Sequence, residues 1–306
     1  MSTRTTSSLK VGNKTLEISN LDKVLYPAVG FTKGQVIDYY IRIAPVLLPH
    51  LKDRPLTLKR YPNGVNAEFF YEKRCPPHRP RWVKTAPVWS EGNNDYVDFC
   101  LANDLPTLVW AANLADLELH TSLAKFRNKE RPTALVLDLD PGMPATIVEC
   151  ATVAFWLKEI FDAFELKVFA KTSGSKGLQL YVPLNAPVTY EQTKPFAQSL
   201  AQRLEREHPR EVVSKMQKSL RAGKVFIDWS QNDSHKTTVC VYSLRAKEHP
   251  TVSTPVTWEE VNEIRKKKNP ALFVFESHSV VKRVEKSGDL FAPVLTLKQK
   301  LPKMPT

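Results

Sequence analysis

The sequence predicts an α+β fold with a palm-like sheet, rather than a doubly wound parallel one. Residues 168–172 and 178–183 read as strands joined by the short polar run Ser173-Gly-Ser-Lys-Gly177, which is hairpin spacing. Between such pairs lie longer segments with apolar residues at helical spacing, such as Val148, Phe155, Trp156, Ile160 and Phe164, which serve as crossovers. Two apolar strands end in carboxylates, Leu135-Val-Leu-Asp138-Leu-Asp140 and Val225-Phe-Ile-Asp228. Hairpins mixed with crossover helices are the pattern of an α+β protein.

The elements follow in order. Residues 1–10 begin Ser/Thr-rich and are expected to be a disordered N-terminus, with a first strand over 11–18. Thr32-Lys-Gly-Gln35 matches a capping box and opens an amphipathic helix through Tyr39, Tyr40 and Ile43. Pro45 falls inside that helix and is expected to kink or divide it. A strand over 56–60 precedes the turn Pro62-Asn-Gly64, and the proline-rich, basic stretch 74–87 reads as a loop. A helix over 105–114, a short strand over 117–120, the Asp138/Asp140 strand and a helix over 146–164 come next. After the hairpin, a helix runs from about Pro195 to Glu207, followed by a basic segment, the Asp228 strand and a strand over 237–243. Residues 11–292 are expected to form one domain, and 293–306 a Lys/Pro-rich tail or linker.

At 306 residues, with 42% hydrophobic and 25% charged residues, the chain has the composition of a soluble globular protein with a real core. Its net charge of +12 favours a polyanionic partner, nucleic acid being the simplest, although the same lysines also solubilise a surface. The four cysteines, at 75, 100, 150 and 240, show no C-x-x-C spacing and are expected to be reduced, mostly buried thiols. No apolar run approaches a membrane span and the N-terminus lacks a secretory h-region, so a cytoplasmic protein without a membrane partner is expected.

Asp138 and Asp140 are two apart on a strand, so they share a face opposite Leu137 and Leu139. With Asp228 they could hold two divalent cations for a phosphoryl displacement. The plainer reading is that Asp-x-Asp-Pro merely opens a turn. Thr172-Ser-Gly-Ser-Lys-Gly177 offers small residues, hydroxyls and the Lys176 charge to a triphosphate, or is simply a polar hairpin tip; it is not a P-loop, since no G-x-x-x-x-G-K-[ST] run exists. His120 is a structural hydrogen-bonder or a catalytic group, and Arg245 a phosphate fork or a surface ion pair. Lys215, Lys218, Arg221 and Lys224 recur every three residues and would form a positive stripe on a helix. Phe69-Phe70-Tyr71 followed by Lys73 and Arg74 interleaves aromatics with cations, as base stacking requires if the rings are exposed.

Five segments in this order carry a resemblance: Asn20-Leu-Asp-Lys-Val-Leu-Tyr-Pro27, Leu135 to Pro141, Thr172 to Leu178, Ser219-Leu-Arg-Ala-Gly-Lys-Val-Phe-Ile-Asp-Trp-Ser-Gln-Asn232 and Tyr242-Ser-Leu-Arg245. The chain resembles the polymerase domain of bacterial ATP-dependent DNA ligase D, in the archaeo-eukaryotic primase superfamily. The resemblance implies a primase-polymerase palm-like (RRM-like) mixed sheet flanked by helices, with an N-terminal α/β part packed against it. It implies template-dependent gap filling and end extension at broken DNA, two Mn²⁺ (or Mg²⁺) ions, a preference for ribonucleotides over dNTPs, nonhomologous end joining with Ku and a DNA ligase, and a nucleoid-associated location. By position, it implies that Asp138, Asp140 and Asp228 form the metal triad. Ser173, Ser175, Lys176 and Arg245 would hold the triphosphate, with His120 and Gln231 on the incoming nucleotide. Lys23 and Lys33 would grip a downstream 5′-phosphate. Phe70 and Tyr71 would pack on the template, in a register for which Phe69-Phe70 is the alternative, with Arg60 and Lys73 as further DNA contacts.

One departure stands out. The family usually has His after Ser-Gly-Ser-Lys-Gly-Leu, where this chain has Gln179, which donates a hydrogen bond but cannot become cationic. Triphosphate binding would then be shared differently with Lys176 and Arg245. No Lys-x-Asp-Gly ligase motif is found. Three rival readings remain: a metal-dependent nuclease on the same triad, a catalytically weakened DNA-end-binding module, and a primase.

Overall fold

The computed structural model describes residues 6–302 except 91 and 93. In chain order, the first strands are β1 (Thr6–Val11), β2 (Lys14–Ser19), β3 (Val24–Tyr26) and β4 (Phe31–Thr32), followed by α1 (Lys33–Leu51). Then come β5 (Leu56–Arg60), β6 (Phe70–Glu72), β7 (Thr85–Ser90), β8 (Asp95–Cys100), α2 (Leu105–Asn113) and β9 (Asp116–Thr121). The middle of the chain forms β10 (Ala134–Pro141), α3 (Ile147–Ala163), β11 (Phe169–Thr172), β12 (Leu178–Pro183), α4 (Tyr190–Glu207), β13 (Val212–Val213) and β14 (Val225–Asp228). The last part supplies β15 (Thr238–Val239), β16 (Pro255–Val256), α5 (Trp258–Lys267), α6 (Ser277–Ser287) and α7 (Pro293–Thr296).

The chain divides into two compact units. The first gathers Met1–Arg127, Thr237–Val252 and Glu276–Gly288; the second gathers Asn128–Lys236, Ser253–Phe275 and Asp289–Thr306. Unit 1 is built on an antiparallel sheet of order β15-β9-β5-β8-β7, with β6 also paired to β5. Unit 2 is built on a sheet of order β13-β14-β10-β12-β11-β16, in which β13 and β14 are parallel and the other pairs antiparallel. That mixed sheet is the palm expected from the sequence. One of its faces is covered by helices, because Leu135, Leu137, Leu139, Leu178, Leu180 and Ile227 are fully buried in one apolar cluster with residues of α3, α4 and α5. Burying each such side chain contributes roughly 2 kcal/mol, so this face anchors the register of every strand beside it.

Several expectations need correction. The first strand begins at Thr6, so residues 6–10 are ordered while residues 1–5 lie outside the described residues. β1 is mostly exposed and is held by its ladder to β2, turning through Gly12 at φ +59°, and composition does not reveal such a ladder. Pro45 does not break α1, which runs unbroken through both Pro45 and Pro49. Both prolines lie on the exposed face, on the solvent side of the helix, while Val36, Tyr40, Ile43, Leu47 and Leu51 bury the other face. The Thr32/Gln35 capping box is present, with both reciprocal bonds formed.

The basic repeat at 215, 218, 221 and 224 is not a helical stripe. The segment holds only a 3-10 turn, Lys218–Leu220, and Gly142 fits so closely under it that a Cβ there would lie 1.9 Å from the Arg221 carbonyl oxygen. Arg221 stacks on Phe226 and Lys224 donates to the Pro209 carbonyl, so the cations diverge. The cysteines are not all reduced: Cys75 and Cys100 form a disulfide across 25 residues, while Cys150 and Cys240 are buried thiols outside any disulfide. The pair meets because the Cys75 amide donates to Asp98 at 2.6 Å, a contact that sequence spacing cannot show. The expected tail from 293 is instead tied to unit 2. Asn185 Nδ2 donates to the Val294 and Leu297 carbonyls, and Gln299 bonds Lys167, Pro183 and Leu184. Among the described residues no helix is long and apolar enough to cross a membrane.

Candidate active site

Strand β10 alternates, sending Leu135, Leu137 and Leu139 into the helix-covered core and Asp138 and Asp140 to the opposite face. On that face, Asp138 lies directly opposite Asp228 of β14 and directly opposite Gln179 of β12. Gln179 in turn lies directly opposite Lys171 of β11. The result is a polar row across four strands, Asp228–Asp138–Gln179–Lys171, with Asp140 two residues along from Asp138. Directly opposed antiparallel residues hold their Cβ atoms about 5 Å apart, so these side chains meet.

Burial pushes the Asp138 carboxyl up to about 7, and the neighbouring Asp140 and Asp228 carboxylates add to the effect; the Gln179 hydrogen bond and the Lys171 charge oppose it. Asp138 Oδ1 is buried with no hydrogen-bond partner. Asp228 is held by its own turn: Oδ1 accepts from the Ser230 amide at 2.9 Å and hydroxyl at 2.5 Å, and Oδ2 accepts from Gln231 Nε2 at 2.9 Å. Lys236 donates to the same Ser230 hydroxyl. Asn232 explains why the turn sits there. Its fully buried amide accepts from the Val136 amide (2.9 Å) and donates to the Val136 carbonyl (2.6 Å), stitching the turn to β10.

Among the described residues, no three His, Cys, Asp or Glu side chains are already drawn together as metal ligands. Asp228 is turned onto Ser230 and Gln231. The residues nevertheless fit a divalent cation. A buried carboxylate oxygen without a partner, flanked by two more carboxylates, lacks only the positive charge such an ion brings.

Beside the row, Ser173 Oγ accepts from the Ser175 amide (3.2 Å) and the Gly177 amide (3.1 Å), closing the loop between β11 and β12. Gly177 is required: a Cβ there would lie 2.1 Å from the Leu139 carbonyl oxygen, midway between the two β10 carboxylates. Ser175 and Lys176 are exposed, and Lys176 Nζ donates to the Pro141 carbonyl at 3.2 Å. They rim a cleft of about 280 Å³ together with Met143, Thr146, Ile147 and Phe273. Gln179, expected on the triphosphate, is only 2% exposed and lies within the sheet row between Lys171 and Asp138.

Unit 1 holds a second cluster, centred on Glu118 of β9, whose side chain is 2% exposed. Its carboxylate meets His120 Nε2 at 2.9 Å, Lys59 Nζ at 3.3 Å and Arg245 Nε at 3.3 Å. Burial opposes ionisation of Glu118, but the His120 hydrogen bond and the Arg245 and Lys59 charges outweigh it and hold the group well below the usual carboxylate range. A carboxylate only accepts, so His120 Nε2 carries the proton and Nδ1 faces the Tyr71 hydroxyl at 3.4 Å. Burial holds the His120 imidazole below its ordinary pKa, with Glu118 countering in part. Arg245 is placed by its backbone. The Tyr39 hydroxyl donates to the Tyr242 carbonyl, the Tyr26 hydroxyl to the Arg245 carbonyl, and Ser243 Oγ accepts from the Leu119 amide.

The other expected DNA residues lie in the same unit. Phe70 and Tyr71 on β6 are each 51% exposed, and Lys73 is exposed just beyond. Phe69 and Tyr71 share a face, with Lys59 Nζ 4.6 Å from the Phe69 ring centre. Arg60 is committed inward, its Nη1 donating to both Glu72 oxygens and its Nε to the Leu114 carbonyl. Lys23 and Lys33 are neighbours through a 2.8 Å backbone bond; Lys23 is exposed, whereas Lys33 is buried with its Nζ on the Ser19 carbonyl.

Sequence reasoning missed Lys171, Glu118, Asn232 and Lys59. A signal existed for the first two, since each is a charged residue inside an apolar strand, Val168-Phe-Ala-Lys-Thr172 and Leu117-Glu-Leu-His120.

Comparison with known proteins gives a consistent result. The family model "LigD, primase-polymerase domain" matches residues 32–291. The multifunctional non-homologous end joining protein LigD of Mycolicibacterium smegmatis is 40% identical over 281 residues, covering 91% of this chain. The bifunctional LigD of Bacillus subtilis is 33% identical over 274 residues, covering 89% of this chain. The chain spans 36% and 43% of the length of those two relatives. The solved polymerase domain of Mycobacterium tuberculosis ligase D in complex with DNA superposes with a TM-score of 0.84 at 39% identity, covering 93% of this chain and 99% of that one. With a family match across most of its length and relatives at this identity, the chain belongs to the LigD primase-polymerase domain family.

Proposed function

We propose that this chain is a template-dependent nucleotidyltransferase that fills gaps and extends 3′ ends at DNA double-strand breaks, preferring ribonucleotides, in nonhomologous end joining. The observation that carries the reading is the grouping of Asp138, Asp140 and Asp228 on one sheet face with an unpartnered, buried Asp138 oxygen. Divalent ions, Mn²⁺ or Mg²⁺, held by these three carboxylates would activate the primer 3′-hydroxyl and screen the charge of the transferred phosphoryl group. Lys176, exposed at the rim of the cleft, balances negative charge developing on the pyrophosphate leaving group. Ser173 keeps the Lys176 loop closed, and Gln231 orients Asp228.

In unit 1, Arg245 and His120 offer donors suited to phosphate oxygens, with Glu118 fixing their orientation. Exposed Lys23 would meet a downstream 5′-phosphate, joined by Lys33 once its buried Nζ leaves the Ser19 carbonyl, and the half-exposed Phe70 and Tyr71, with Lys73, would stack on the template. The basic excess and the DNA-bound structural neighbour support a DNA substrate. The end-joining names of the relatives support Ku and a DNA ligase as partners.

The test is primer extension on a gapped duplex, comparing rNTPs with dNTPs, Mn²⁺ with Mg²⁺, and a 5′-phosphate with a 5′-hydroxyl. Templated extension, strongest with Mn²⁺, rNTPs and a 5′-phosphate, is expected. Tight binding to phosphorylated gaps without incorporation would favour a weakened end-binding module, a reading that Asp228's engagement with its own turn supports. Shortening of the primer with Mn²⁺ and no nucleotide would indicate a nuclease.

A further inference from the structure

Lys171 is a charged side chain with no solvent exposure, on an interior strand of the unit 2 sheet, between β12 and β16. Such a cation is costly unless each of its donors finds an acceptor, so its neighbours are constrained. Its Nζ donates to Gln179 Oε1 at 2.5 Å and to Ser253 Oγ at 2.7 Å. Ser253 Oγ donates onward to the Thr172 carbonyl at 2.8 Å, so its lone pair is the part left for Lys171. Gln179 is also buried, at 2% exposure. A primary amide has one accepting end and one donating end. An ammonium only donates, so Lys171 takes the oxygen end of Gln179 and turns the Nε2 end the other way. There it faces Asp138, directly opposite on β10, whose charged form the Gln179 hydrogen bond favours. The cross-strand register puts the three residues side by side, Lys171 against Gln179 and Gln179 against Asp138.

We propose that Lys171 and Gln179 are positioning residues that act as a unit: Lys171 fixes which way the Gln179 amide faces, and Gln179 in turn holds the Asp138 carboxylate in the rotamer that receives a divalent cation. This rests on the metal reading of Asp138 above. Neither residue touches the nucleotide in this role; both act through Asp138. The requirement at position 179 is one acceptor toward Lys171 and one donor toward Asp138. A neutral imidazole meets it, with one bare nitrogen and one N–H, whereas a leucine or a glutamate does not. The relay therefore makes an unusual prediction for substitutions of similar size.

The experiment measures Mn²⁺ binding to the full chain, without DNA or nucleotide, by the free-Mn²⁺ electron paramagnetic resonance signal, with Mn²⁺-dependent extension as a second readout. Gln179→Leu and Lys171→Met should each weaken Mn²⁺ binding roughly tenfold, as loss of a partner behind a metal ligand does. Gln179→His should keep binding within about threefold of the parent, because imidazole supplies the same donor and acceptor. The Mn²⁺ concentration for half-maximal extension should rise in parallel, while the nucleotide KM at saturating Mn²⁺ stays near the parent value. Ser253→Ala, which trims one Lys171 partner and leaves the charge, should give a smaller loss in the same direction and guards against a Lys171→Met chain that does not fold. Parent-like Mn²⁺ binding by Gln179→Leu, or failure of Gln179→His to outperform Gln179→Leu, would overturn the relay while leaving the metal assignment standing. A parent chain that binds no Mn²⁺ would overturn both.

Discussion

Single carboxylates do opposite jobs in this chain, and their surroundings decide which. Asp138 has carboxylates on two sides and a buried oxygen with no partner, so in the proposed function it is the side chain whose charge matters most. Asp138→Asn keeps the size and the Gln179 contact but removes the charge. It should lower extension by at least about a hundredfold while gapped-DNA affinity stays within about twofold, read by single-turnover extension and fluorescence anisotropy. Normal extension by this variant would remove Asp138 from the proposed metal triad. Glu118 is the reverse case, a buried carboxylate between two cations, Lys59 and Arg245, and the His120 N–H. Its folded pKa is depressed, so the stability it contributes is present above the ordinary carboxylate value of about 4.3 and is lost as pH falls below that toward the folded value. Glu118→Gln should thus cost about 3 kcal/mol at pH 7, and the parent and variant should converge as the solution is acidified. Urea midpoints measured from pH 7 down to pH 3 check this, and a pH-independent difference would argue against the ion cluster as the cause.

At the scale of elements, two connections bear on the site. The loop between β11 and β12 lies so close to β10 that Gly177 has no room for a Cβ beside the Leu139 carbonyl, and backbone cannot yield as a side-chain tip can. Gly177→Ala should therefore destabilise unit 2 by about 2 kcal/mol or more and displace Lys176, raising the nucleotide KM. A KM unchanged in a folded variant would separate the loop from nucleotide binding. The disulfide joins Cys75, next to Lys73 and Arg74, to the end of β8. Closing a 25-residue span restricts the unfolded chain, so Cys100→Ser should cost about 3 kcal/mol, seen as a lower thermal midpoint that reducing agent does not lower further. Elements differ in how far they can be read from local signals. The Thr32 capping box and the alternation in β10 are local patterns and were legible. The unbroken α1 was not, because which face its prolines occupy depends on what the other face packs against.

For the whole molecule, the notable fact is that each unit is assembled from three separate stretches of chain. Unit 1 takes β15 and the Tyr242–Arg245 turn from beyond residue 236, and these satisfy polar groups on β9 and α1: Ser243 Oγ accepts from Leu119, and the Leu244 amide donates to the Tyr40 hydroxyl. A fragment of residues 1–127 would take the Ser243 acceptor from the Leu119 amide and strip Arg245 from Glu118. It should show no cooperative urea transition, and a dispersed amide NMR spectrum from that fragment would contradict this account. By itself the sequence determined the α+β class, the shared face of Asp138 and Asp140, the hairpin around Ser173 to Gly177 and the family, because alternation, turn chemistry and motif order are properties of neighbouring residues. Only the tertiary structure decided that Asp228 lies directly across from Asp138, that Gln179 is buried in a row with Lys171, that Cys75 meets Cys100 and that Arg60 is spent on Glu72. Those are pairings between distant positions, fixed by strand register and by the need to satisfy every buried polar group, and neither constraint is written in any local run of residues.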